Sequence, residues 1–173
     1  EEIRTDKIEI LAELTRLRQL CCDPALLYDN YKGGSAKTEL VRGLIRNAVE
    51  NGHKVLLFSQ FTTMLERLYR ILEEEKIASH MLTGATPKEK RIEMVESFAH
   101  DEVPVFCISL KAGGTGLNLT GADIVIHYDP WWNVAVQNQA TDRAHRIGQK
   151  NACTYIHLIT AVSYTHLRAH ETT

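Results

Sequence analysis

The chain has 173 residues, 44% of them hydrophobic and 24% charged, with a formal net charge of −2. That length supports one domain with its own core, and no apolar run approaches the roughly 18 residues that a membrane span requires. A near-neutral chain is not a globally basic nucleic-acid binder, so any phosphate contact has to come from a local basic strip.

The first residues, EEIRTDKIEI, are charged and helical in pattern, which excludes a signal peptide. There is no initiator Met, so the chain is expected to begin inside a longer protein. Ile10, Leu11, Leu14, Leu17 and Leu20 recur at helical spacing, and Asp23-Pro24 ends that helix. NYKGGS (30–35) reads as a loop. Ser35 is placed to cap a helix running to about Glu50, with Leu40, Leu44, Ile45 and Val49 facing inward. Asn51-Gly52 stops it.

KVLLFSQF is a continuous apolar run of strand length. TTMLERLYRILEEEK follows as an amphipathic helix with Leu65, Leu68 and Leu72 on one stripe. ASHMLTG is a short strand. Pro87 opens the next helix as a first-turn residue, and Ile92, Val95 and Phe98 are expected to bury it. VPVFCISL and ADIVIHYD are further apolar strands. VAVQNQATDRAHRI is a helix stopped by Gly148, and TYIHLIT is a last strand.

Strands alternate with helices, and most strands are apolar on both faces. The expected fold is therefore α/β, with a mostly parallel sheet flanked by helices on both faces in three layers. Right-handed crossovers bring the loops that follow the strands to one sheet edge, where ligands of such sheets bind. The residues to watch there are Ser59-Gln60-Phe61, Thr83-Gly84, Lys111 to Asn118 and Asp129 to Asn133.

Three segments of that edge carry the chemistry. QNQATDRAHRIGQK (137–150) places Gln139, Arg143 and Arg146 on one helical stripe. They form either a solvated face with Asp142 as partner or a pair of guanidinium forks aimed at phosphate oxygens. SLKAGGTGLNLTGAD (109–123) follows a strand, and its three glycines in four positions, Gly113, Gly114 and Gly116, let backbone N–H groups approach an anion beside Lys111. DPWWN (129–133) puts two tryptophans at a strand end, for the core or for a nucleic-acid surface.

Together, ISLKAGGTGLNLTGADIVIHYDPWWN and QATDRAHRIGQ resemble the C-terminal motor lobe of the Swi/Snf-like ATPases of helicase superfamily two. VLLFSQFTTML and LTGATPKEKRIEMVESF are similar to earlier motifs of the same lobe, in order, and LTRLRQLCCDPALL to the segment that leads into it. The resemblance covers residues from near 5 to 160. It implies a RecA-like lobe over 36–160, with 1–35 a lead-in helix and linker from the N-terminal lobe. Residues 161–173 contain VSYTHLRAHET, which resembles translated adapter sequence and is expected to be a non-native tail.

In that family two RecA-like lobes clamp ATP. The resemblance implies that Arg143 and Arg146 are arginine fingers with Gln139 alongside, and that Gly116 and Asn118 lie near the nucleotide ribose. It further implies that Gln60, Thr83, Ser109 and Lys111 follow the phosphates of one strand of double-stranded DNA. The implied partner lobe, N-terminal in the same parent chain, would supply the phosphate loop and the magnesium ligands, so ATP with Mg2+ would be bound only by both lobes together.

No GxxxxGK[ST] stands in the chain. KGGSAKTEL (32–40) imitates one, but with Ala36 where glycine is needed; Ser35 reads as a helix cap and Lys37 as surface. The expectation is half an active site, inactive toward ATP by itself. The alternative is a non-catalytic nucleic-acid or protein-binding module derived from such a lobe. Cys21, Cys22, Cys107 and Cys153 make no metal pattern and read as reduced thiols. His166 and His170, though at i, i+4, are not taken as a metal site. The resemblance and the reduced cysteines together imply a cytoplasmic, nucleoid-associated protein in a bacterial source, or a nuclear one in a eukaryote.

Overall fold

The computed structural model describes residues 2–113, 119, 121–129 and 153–160. They fall into two compact units, one holding the chain up to Leu40 together with Thr160, the other Val41–Ile159.

In the first unit, helix α1 (Glu2–Cys22) is followed by a 3-10 turn at Pro24–Leu26. Asp23 is buried at the junction, and its carboxylate accepts the Ala25 N–H at 2.9 Å and the Thr38 hydroxyl at 3.4 Å. The expected end of the helix at Asp23-Pro24 is therefore met. Along α1 the helix is as read, but Ile10, Leu11 and Leu17 remain more than half exposed. Ser35 caps α2 (Ala36–Glu50): its hydroxyl accepts the Thr38 N–H and donates to the Cys22 carbonyl. The KGGSAK segment is thus a capping loop reached from a 3-10 turn, with no strand leading into it.

In the second unit, α2 ends as Asn51-Gly52 predicts. Gly52 takes φ +77°, its N–H donates to the Val49 carbonyl, and His53 N–H donates to Ala48. Five strands follow: β1 (Val55–Ser59), β2 (Ser79–Leu82), β3 (Val105–Ser109), β4 (Ile124–His127) and β5 (Thr154–His157). All described pairings are parallel, in the order β2-β3-β1-β4-β5. The expected mostly parallel sheet is found, entirely parallel among the described strands, and each strand is shorter than the apolar run that announced it. β1 stops at Ser59 because the next N–H leaves the ladder for a side chain described below.

Helices α3 (Thr62–Glu74) and α4 (Lys88–Phe98) fill the crossovers. The step from β1 to β2 runs one way across the sheet and the step from β2 to β3 the other, so right-handed connections place α3 and α4 on opposite faces. Both faces of β1 and β3 are accordingly buried at every position. Leu56, Phe58, Phe106 and Ile108 pack with Val95 and Phe98 of α4. Fully burying a side chain of this size contributes roughly 1.5–3 kcal/mol.

Three local readings need correction. Leu40 is 53% exposed and Ile92 48%. The buried face of α2 runs through Val41, Ile45 and Ala48, and that of α4 through Val95 and Phe98, leaving each of the two residues about a third of a turn off. Pro87 stands at the cap of α4, one residue outside, with ψ 149°.

The edge where the strands begin is closed by an ion pair and side-chain hydrogen bonds. Lys54 Nζ donates to the Phe98 and Asp101 carbonyls and to the Asp101 carboxylate, which also lies 2.7 Å from His80 Nε2. His53 Nδ1 lies 2.7 Å from the Asp123 carboxylate, which accepts the Lys54 N–H as well. Burial works to raise the Asp101 carboxyl, but the hydrogen bonds from His80 and Lys54 overcome it and hold the group below its ordinary value. A depressed carboxyl stabilises the fold above its unfolded pKa and loses that contribution as pH falls through its folded one. Asp101→Asn should cost about 1–2 kcal/mol in urea unfolding at pH 7, and the difference from the parent should shrink as pH falls below 4.

Candidate strand-end phosphate-contact edge

The register aligns the strand ends. Ser59 stands opposite Ser109, Phe58 opposite His127, Leu82 opposite Ile108, and His127 opposite His157. The residues that come next, Gln60, Thr83, Leu110 and Tyr128, therefore start their loops along one edge. Gln60, Thr83 and the neighbouring Ser109 and Lys111, from three separate stretches of sequence, are brought to the same edge of the sheet.

Each loop is tied down locally. At Gln60 the backbone N–H donates to both oxygens of the Asp129 carboxylate, at 3.1 and 3.3 Å, and Phe61 N–H donates to the Ser59 hydroxyl at 3.1 Å. Thr83 closes a tight turn with Thr86: Thr83 N–H donates to the Thr86 hydroxyl, and Thr86 N–H returns to the Thr83 carbonyl, both at 3.1 Å. Ala85 N–H donates to the Thr83 hydroxyl, and Arg91 from α4 donates to the Thr86 carbonyl at 3.3 Å.

Ser109 is buried at 3% exposure, and its hydroxyl accepts the Ala112 N–H. It caps a short helix, α5 (Leu110–Gly113), which stands where the start of a glycine loop is expected. That cap turns Lys111 outward, where it is exposed. Gly121 is required by a close approach: a Cβ there would meet the Ala99 Cα at 2.9 Å, so the backbone passes directly over the end of α4.

Asp129 had no assigned role in the sequence, although its signal was there: an acidic residue ending an apolar strand, just before proline. It is 2% exposed. Gly116, Asn118, Gln139, Arg143 and Arg146 lie outside the described residues, as do Trp131 and Trp132. A cavity of about 350 Å³ lined by Asn47, Asn51, His53, Ile124, Ile126 and Ile156, among others, contains none of the predicted site residues. Among the described residues no group of His, Cys, Asp and Glu is arranged to hold a metal ion. Cys107 is fully buried, and desolvation pushes its thiol up to about 12, in line with an inert core cysteine.

Known proteins share the fold. Residues 36–148 match the helicase conserved C-terminal domain. The putative ATP-dependent helicase/translocase YwqA of Bacillus subtilis is 44% identical over 152 residues, covering 83% of this chain and 16% of that protein. The Sulfolobus solfataricus SWI2/SNF2 ATPase C-terminal domain superposes with TM-score 0.75 at 30% identity, over 95% of this chain and 69% of that one. The core of that ATPase in complex with double-stranded DNA superposes with TM-score 0.72 at 33% identity, over 87% and 32%. The chain belongs to the helicase C-terminal domain family, as the C-terminal RecA-like lobe of its Swi2/Snf2 group. It spans only 14% and 16% of the length of the first curated relatives it matches.

The strand-end edge also carries a ring ladder. His127 stacks between Phe58, at 5.2 Å, and His157, at 4.9 Å. Burial, with a smaller contribution from His157, drives the His127 pKa down to about 3 from 6.5. The unfolded chain therefore takes up a proton that the folded chain refuses, and stability is lost as pH falls below about 6.5. Urea midpoints measured at pH 7, 6 and 5 should fall, and His127→Phe should flatten that fall. An unchanged slope would place the titration elsewhere.

Proposed function

We propose that the parent protein is a DNA-stimulated ATPase that translocates on duplex DNA, and that this chain is the lobe that completes its nucleotide pocket and grips one DNA strand. The observation that carries the reading is the alignment of Gln60, Thr83, Ser109 and Lys111 along one strand-end edge. In this reading Gln60, Thr83 and Lys111 follow successive backbone phosphates, and buried Ser109 holds the turn that presents Lys111. Related proteins described as ATP-dependent helicases, and a superposable SWI2/SNF2 core described with double-stranded DNA, support it.

The nucleotide half of the proposal rests on the family motif. Arg143 and Arg146 reach across the cleft to the transferring γ-phosphoryl group, where fixed guanidinium charge stabilises the transition state. Gln139 lies alongside, and Gly116 and Asn118 line the ribose. The KGGSAK segment does not suit a phosphate cradle, since Ser35 is engaged as a helix cap. The N-terminal lobe of the parent would hold Mg2+ and the phosphates. ATP would draw the lobes together and hydrolysis would release them, moving the gripping edge along the strand. Such a protein works where the DNA is: the bacterial cytoplasm, or the nucleus.

Removing a finger is the direct test. In the full-length protein, Arg146→Ala should lower DNA-stimulated ATP turnover by roughly three to five decades. Turnover within a few-fold of the parent would show that this arginine is not a finger.

A further inference from the structure

We propose that Asp129 is a positioning residue for the DNA-contact loop 59–61, acting through the backbone N–H of Gln60; this rests on the DNA reading above. A carboxylate at 2% exposure is costly to bury unless its oxygens find donors. Both Asp129 oxygens lie within hydrogen-bonding distance of the same Gln60 N–H, at 3.1 and 3.3 Å. The alignment is set one residue earlier, where Tyr128 N–H donates to the Phe58 carbonyl at 2.9 Å and continues the β1–β4 ladder. Asp129 then takes over from the backbone: it receives the first N–H past the end of β1. An apolar residue at 129 would leave that N–H without this acceptor in a half-buried loop.

Two consequences follow from that geometry. Because the Gln60 N–H is spent on Asp129, the Gln60 contact with phosphate runs through its side-chain carboxamide. And because Asp129 begins DPWWN, the segment leading toward Arg143 and Arg146 is bonded at its first residue to the loop that meets DNA. The loop after β1 cannot shift without breaking a charge-assisted hydrogen bond to the strand end of β4.

The test uses the full-length protein and two readouts. The first is amide exchange at Gln60 without DNA. The second is the duplex concentration that half-saturates ATP turnover, measured beside turnover at saturating duplex. Asp129→Ala should speed Gln60 exchange and raise half-saturation about tenfold, as expected for one lost charge-assisted bond, and by a larger factor than it lowers saturated turnover. Asp129→Asn keeps one acceptor oxygen and should fall between the two. Added to Gln60→Ala, Asp129→Ala should raise half-saturation little further. Unchanged Gln60 exchange overturns the proposal, as does half-saturation that stays put while turnover falls. If Asp129→Ala does not fold, Asp129→Asn carries the same two readouts. Absence of duplex stimulation in the parent would instead overturn the proposed function, while the exchange readout still decides the contact.

Discussion

Everything described at the strand-end edge depends on the central position of β1. It pairs with β3 on one side and β4 on the other, parallel to both, and none of its five side chains reaches solvent. A strand buried on both faces has no polar face to turn outward, so slipping by one residue would exchange its two apolar faces rather than be forbidden by polarity. The register is instead held at the ends. Asp123 accepts the Lys54 N–H at the start of the strand, and Asp129 accepts the Gln60 N–H at its finish. One carboxylate just before β4 and one just beyond it thus bracket β1 and fix which residues emerge at each edge.

The two edges differ in what they offer a ligand. At the edge where strands begin, the described polar side chains are largely spent internally: Lys54 on Asp101 and two carbonyls, His53 on Asp123, and His80 on Asp101. On the helical layer, Glu75 takes both Arg42 and Arg46, and although burial works to raise its carboxyl, the two guanidiniums hold it low. At the strand-end edge, hydroxyls and backbone amides close the turns, and Lys111 stands exposed. The slight net negative charge of the chain is thus no obstacle to a phosphate-binding edge, because interaction with a polyanion depends on where the cations stand.

Much of this was legible in the sequence, for reasons that can be named. Uninterrupted apolar runs such as VLLF and VFCI have no polar face, which implied a covered parallel sheet, and alternation with amphipathic helices implied the three layers. Leu65, Leu68 and Leu72 repeat at helical spacing and are all buried. What periodicity could not supply was phase at the margins of a stripe, hence the misplacement of Leu40 and Ile92. Strand ends were also beyond it, because β1 ends where a carboxylate 69 residues away captures an N–H. Helix α5 was missed for a related reason: glycines obscured a four-residue turn that Ser109 caps. The family resemblance rested on motifs rather than on periodicity, and the domain match over 36–148 agrees with it.

The central claim is that duplex DNA lies along the strand-end edge and not along the opposite one. Lysine acylation of the full-length protein, with and without duplex DNA, reads this directly. Lys111 follows the end of β3, whereas Lys76 precedes the start of β2. Duplex should slow modification of Lys111 severalfold and leave Lys76 unchanged, with the protection fading as salt is raised, as phosphate contacts require. Protection of Lys76 with none at Lys111 would put the DNA on the wrong side of the sheet and contradict the account.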